Sequence, residues 1–174
     1  MSRASAAESL AIRTADLDSP PATLLIAALN IELAARYPEP GANHFRLDAE
    51  DVSPGNGALL IGYVDGEPVA CGAIRRIEPG VAEIKRMYVV PPARGRGISK
   101  IMLAALEERA RQLGFGRLVL ETGTRQLDAI GLYQGAGFNS IPCFGEYAGS
   151  QLSVCMAKDL EQDAAKVESE SPCV

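Results

Sequence analysis

The stretch from Glu83 to Leu113 narrows the folds open to this chain more than any other. Ile84 to Val90 is rich in β-branched, aromatic and other apolar residues and reads as a strand, stopped by Pro91-Pro92. From Ile98 the apolar residues Met102, Ala105, Leu106, Ala110 and Leu113 recur at the spacing of one helical face, and Gly114 closes the helix. Glu107, Glu108, Arg109 and Arg111 fall largely outside that stripe. Strand and helix are joined through Arg94-Gly95-Arg96-Gly97. Glycines let backbone N–H groups approach a ligand closely, and a helix N-terminus adds partial positive charge. Such a turn suits a pyrophosphate, although a Gly-x-Gly turn alone also serves as a plain connection. Two widespread phosphate motifs do not fit. A dinucleotide fingerprint needs a third Gly where Lys100 stands, and a P-loop needs Gly-Lys-Ser/Thr after a longer loop.

The remaining chain supplies a sheet around this unit. Residues 1–9 are small and polar and read as a flexible start. Leu10 to Thr14 predicts a first strand, and Pro20-Pro21 opens a helix through Ala35 with Leu24, Leu25, Ala28, Leu29 and Leu33 as its apolar positions. Pro40 to Gly57 is a loop with room for one short turn; it is either a variable wall of a substrate site or a solvated connection. Ala58 to Val64 and Pro68 to Arg76 are apolar runs joined by Asp65-Gly66, a strong hairpin signal. Pro79-Gly80 makes a second turn, so three antiparallel strands lead into the Gly-rich turn. Arg117 to Thr122 follows the helix as a short strand, for which parallel pairing with the strand before the turn is natural. A short helix carries Leu127, Ile130, Leu132 and Tyr133, ahead of a closing pair of strands at Phe138 to Ile141 and Leu152 to Met156. One domain over 10–158 is expected, with 159–174 as a disordered acidic tail.

Composition removes several function classes. The 174 residues are 47% hydrophobic, enough for one domain with a substantial core. A net charge of −5, with no basic run beyond Arg94 to Arg96, argues against nucleic acid as a partner. It favours, weakly, a cationic acceptor. No apolar stretch approaches a membrane span, and no signal-peptide pattern precedes Leu10. Cys71, Cys143, Cys155 and Cys173 are scattered without ligand spacing, which fits reduced thiols in a cytoplasmic protein. His44 is the single histidine, so a His-rich metal centre is excluded.

Arg94, Gly97 and Ser99, between strand and amphipathic helix, resemble the acyl-CoA motif Q/R-x-x-G-x-G/A of the GNAT N-acetyltransferase superfamily. Ser99 stands where the family usually has Gly or Ala. A second match lies downstream. Members commonly carry Asn-x-x-Ala-x-x-x-Tyr-x-x-x-Gly-Phe, and here Gln126 takes the Asn place while Ala129, Tyr133, Gly137 and Phe138 match. The resemblance covers roughly Ala58 to Lys158, with both motifs in order. It implies an α/β fold of mixed α+β type: a twisted mixed sheet of about six to seven strands, helices on both faces, and a splayed central parallel pair that admits acyl-CoA. Many members are dimers, and the sequence leaves a homodimer open.

The resemblance also implies a chemistry: acetyl-CoA as co-substrate, no metal, and direct transfer to a primary amine in a ternary complex. Met87, Tyr88 and Val89 would bind pantetheine and the thioester carbonyl through backbone groups. Arg94, Gly95, Arg96, Gly97, Ile98 and Ser99 would hold the pyrophosphate, with Gln126 and Tyr133 completing the cofactor side. Tyr133 would assist the departing thiolate. Glu83 is the candidate base, matching a catalytic Glu that some members carry; the other reading is a surface pair with Lys85, since Glu83, Lys85 and Met87 alternate onto one strand face. Glu121 is a second carboxylate, a fallback base or amine-binding group. Tyr147 either lines the substrate side or is an ordinary core or surface residue. A small-molecule amine and a protein amine both remain open as acceptor. The rival readings are a sensor that binds acyl-CoA without turnover and an acyltransferase using a longer acyl donor.

Overall fold

The structure, a computed structural model, describes residues 10–43 and 46–161. His44, Cys173 and the segments 1–9 and 162–174 lie outside the described residues. The elements are β1 (Leu10–Thr14), α1 (Pro20–Arg36), β2 (Gly57–Val64), β3 (Glu67–Glu78), β4 (Val81–Val89), α2 (Ile98–Gln112), β5 (Arg117–Gly123), α3 (Leu127–Gly135), β6 (Asn139–Ile141) and β7 (Ser153–Asp159). Short 3-10 turns sit at Ala49–Val52, Pro91–Ala93 and Gly145–Tyr147.

The strands form one seven-stranded sheet in the order β1-β2-β3-β4-β5-β7-β6. Among the described residues only β4 and β5 pair in parallel; the other neighbours are antiparallel. The β2–β3 hairpin turns on Asp65 (φ 52) and Gly66 (φ 79), both left-handed as a two-residue hairpin turn requires. Pro20 and Pro21 start α1 where no backbone donor is needed.

Both faces of the sheet are covered. On one, α2 buries Ile98, Met102, Leu103, Leu106 and Ala110 against Ile74, Ile84, Leu118, Leu120 and Met156. On the other, Ala22, Leu25 and Leu29 of α1 pack on Leu59, Ile61, Cys71 and Tyr88. The α2 stripe is wider than its apolar pattern suggests. Glu107 is buried, and Lys158 Nζ of β7 donates to its Oε1 at 3.0 Å. That partner, distant in sequence, is what lets a carboxylate sit there.

Strand β4 does not alternate simply. Ala73 pairs with Lys85 and Cys71 with Tyr88, so Arg86 and Met87 together oppose Gly72. Arg86 takes φ 58 to accommodate this bulge. The expectation that Glu83, Lys85 and Met87 share a face is therefore corrected. Beyond the bulge Met87 packs on the α2 side, while Tyr88 joins the α1 side. The last strand also runs through Asp159, and buried Leu160 donates its N–H to Gly116 at 2.8 Å, two residues past the expected end of the domain.

Candidate active site

Parallel pairing of β4 with β5 stops at Ile84 and Leu120, although β4 continues to Val89 and β5 to Gly123. Beyond that point the two strands part, and the site occupies the opening. A cleft of about 760 Å³ runs from the end of β4 along the Gly-rich turn to α3. Its walls include Met87, Tyr88, Val89, Arg94, Gly95, Gly97, Ile98, Ser99, Gln126 and Tyr133. These are the residues expected on the cofactor side, with one exception: Arg96 is exposed and does not line the cleft.

The turn is built for close approach. Gly95 and Gly97 have φ 79 and 77, a conformation that side-chain-bearing residues rarely adopt. Gly97 is the N-cap of α2, so the helix begins at the cleft with its first N–H groups unsatisfied by a capping side chain. Arg94 is held in place. Its Nε donates to Val89 O at 2.9 Å, its Nη2 to Glu32 Oε2 of α1 at 2.8 Å, and its guanidinium lies over the Tyr88 ring. The bond to Glu32 raises the Arg94 pKa further.

Tyr133 is buried on α3, with its ring edge-on to Phe138 at 5.7 Å between centroids. Burial, with the charge of Glu121 adding to it, pushes its phenol well above the usual range. It therefore stays protonated and can donate a hydrogen bond. Gln126 is the N-cap residue of α3, and its side chain turns back to the end of β5, its Oε1 accepting from Gly123 N at 3.0 Å and Thr122 Oγ1 at 3.2 Å.

A smaller chamber of about 90 Å³ lies where the strands part, walled by Ile84, Lys85, Arg86, Glu121, Thr122 and Tyr147. Met87, Gln126, Ala129 and Tyr133 belong to both spaces. Glu121 and Tyr147 are thus brought to the chamber. Glu83 is not: it lines neither space, being 1% exposed, with Arg75 Nε donating to its Oε1 at 2.9 Å and Tyr147 Oη to its Oε2 at 2.7 Å. It reaches the chamber through the Tyr147 hydroxyl. Burial and the Glu83 charge push the Tyr147 phenol upward as well.

Four wall residues had no signal in the sequence. Glu32 and Arg36 on α1, Arg125 before α3, and Arg86 in the bulge come to the site only through packing. Arg125 donates to Arg36 O at 2.9 Å and pairs with Glu39, tying the end of α1 to the mouth of the cleft.

A mixed sheet with helices on both faces, a parted parallel pair and a glycine turn at a helix N-terminus is the architecture that the resemblance to the GNAT superfamily implies. The match to known proteins agrees. The family model described as acetyltransferase (GNAT) family matches residues 24–138, and the chain belongs to that family. It is an acyltransferase. The chain is 39% identical over 137 residues to a protein of Azospirillum brasilense named IAA acetyltransferase, across 78% of this chain and 88% of that one. A crystal structure from Klebsiella pneumoniae, described as a candidate acyl-CoA N-acyltransferase, superposes with a TM-score of 0.76 at 35% identity, covering 87% of this chain and 98% of that one. A GNAT family acetyltransferase from Elizabethkingia anophelis, solved with acetyl-CoA bound, shares the fold at 17% identity and a TM-score of 0.63, over 88% and 99% of the two chains.

Proposed function

We propose that this protein moves an acetyl group from acetyl-CoA to a primary amine by direct transfer in a ternary complex. The observation that carries this is the continuity of the two spaces: a cleft of about 760 Å³ with a glycine turn at one end meets a polar chamber at Tyr133 and Met87. The cleft volume lies within the range of ~300–1,000 Å³ usual for small-molecule sites, and the residues fit the group. A diphosphate would sit on the turn, receiving N–H groups near Gly95 and Gly97, the N-terminus of α2 and the charge of Arg94. The Ser99 hydroxyl stands in the first turn of α2 as a further donor.

Acetyl-CoA would supply the thioester: the amine forms a C–N bond at its carbonyl carbon, the C–S bond breaks, and the sulfur leaves with the electron pair. Tyr133 donates a hydrogen bond to that sulfur as charge develops. Backbone groups of Met87, Tyr88 and Val89 orient the acyl arm. The amine must lose a proton, and two routes lie in the chamber. Glu121 lines it directly, whereas Glu83 would accept a proton relayed through Tyr147 Oη. Direct transfer is favoured over an acetyl-cysteine because none of the described cysteines, Cys71, Cys143 and Cys155, lines the cleft or the chamber.

Release of free CoA, followed across a panel of primary amines, tests the proposal. Amine-dependent release is the expected outcome. Tight binding of acetyl-CoA with no release in the presence of any amine would make the protein a sensor instead.

A further inference from the structure

The chamber between the parted strands is more positive than a chain of net charge −5 would suggest. The Lys85 side chain is 3% exposed, and among the described residues its Nζ has no hydrogen-bond partner. It pairs with Glu146 Oε1 at 3.6 Å, beyond hydrogen-bond reach, and that carboxylate is 40% exposed. Burial lowers the Lys85 pKa, the sign of an ammonium short of compensation. Beside it the guanidinium of Arg86, also buried, donates to Asn30 Oδ1 of α1. Glu83, on the same strand face, is already matched by Arg75. The wall itself carries Lys85, Arg86 and one carboxylate, Glu121, while Glu146 meets Lys85 from outside the lining and beyond hydrogen-bond reach.

A buried ammonium without a hydrogen bond is costly unless something completes it. The pyrophosphate of a CoA cannot be that group, because neither Lys85 nor Arg86 lines the larger cleft. We propose that the acceptor is a small amino-acid-like molecule whose carboxylate binds Lys85 and Arg86 in the chamber, with its amine beside Glu121. This rests on the acetyl-transfer reading and names its substrate class. A carboxylate would give the buried Lys85 Nζ the hydrogen bond it lacks, which Glu146 at 3.6 Å does not. A simple amine without the carboxyl group offers Lys85 no acceptor. The shared residues Gln126, Ala129 and Tyr133 put the far end of such a molecule next to the acyl cleft.

Matched acceptors test the inference: small α-, β- and γ-amino acids, their amides, and the corresponding amines without the carboxyl group. Each is assayed for CoA release with acetyl-CoA, and each is titrated by calorimetry into the CoA-bound protein. A charge-assisted hydrogen bond in a dry site should make the best acid better than its amide and its amine by about tenfold or more, in kcat/KM and in affinity. Lys85→Met should erase that preference while acetyl-CoA affinity stays unchanged. If the variant does not fold, the wild-type ratio of acid to amide carries the result alone. Amides or plain amines handled as well as acids would overturn the inference and leave acetyl transfer intact. Preferential binding of the acid with no CoA release would support the anion site and overturn the transfer reading. Equal binding of all three classes would overturn the inference outright.

Discussion

In the proposed mechanism, burial sets the limits of what Tyr133 can do. Its raised pKa makes full proton transfer to a thiolate, whose acid has a pKa near ~8.5, strongly uphill. A hydrogen bond to the developing charge is what remains, so Tyr133→Phe should lower kcat by roughly 10²-fold. Acetyl-CoA affinity and Tm should change little, since the edge-on contact with Phe138 involves the ring and survives. Turnover at the wild-type rate would remove the role. Glu83 is governed instead by its neighbours. Asp51, Arg75, Glu83 and Tyr147 form one chain of contacts, with Asp51 3.6 Å from Arg75. Glu83→Gln keeps a hydrogen-bonding shape but loses the charge that would draw a proton through Tyr147. An amine of pKa ~10.4 needs that help far more than an α-amine near ~7.7. Initial rates with the two acceptor kinds should therefore fall unequally, more for the high-pKa amine. Equal and negligible losses would leave Glu83 with the task of holding Arg75 and Tyr147 alone.

Among the elements, the turn between β4 and α2 is the most exacting. At Gly97 a Cβ would meet no protein atom within 4 Å, so the constraint is conformational: φ 77 is costly for a β-branched residue. Gly97→Val should weaken acetyl-CoA binding by about tenfold or more, through this strain of ~1–2 kcal/mol and the blocked approach of the backbone. Calorimetry on the folded variant reads it, and undiminished affinity would contradict the assignment of the turn. This turn was legible in the sequence because its determinants are local, as were the Asp65-Gly66 hairpin and the apolar stripe of α2. The bulge in β4 was not. Arg86 carries no glycine or asparagine signal for φ 58, and the opposing Gly72 has its meaning only in three dimensions: a Cβ there would lie 2.8 Å from both Leu106 Cδ1 and Met87 Sδ. Nor could the sequence tell that α1 lies beside the turn, where Glu32 meets Arg94 across 62 positions. The alternative reading of Glu83 as a surface partner of Lys85 fails for the same reason: each has a different partner, brought by β3 and by the turn at Gly145–Tyr147.

For the whole molecule, function follows from a sheet that comes apart at its centre. β4 and β5 hold together over Val81–Ile84 and Arg117–Leu120 and then diverge, β4 braced by β3 and β5 by β7. Helices on both faces keep the halves in place, so the gap is part of a packed structure. The order of elements and the two motifs made this architecture readable from the chain. The chamber proposed for the acceptor was not, because Lys85, Arg86 and Glu121 meet there from two strands, against an acidic overall balance. The central claim is that acetyl-CoA and an amine occupy the two joined spaces together and react directly. Initial rates of CoA release, with acetyl-CoA and the best acceptor both varied, test this most directly. Amine-dependent release with double-reciprocal lines that intersect is the expected result; parallel lines, the mark of an acetylated enzyme, or release independent of amine would contradict it.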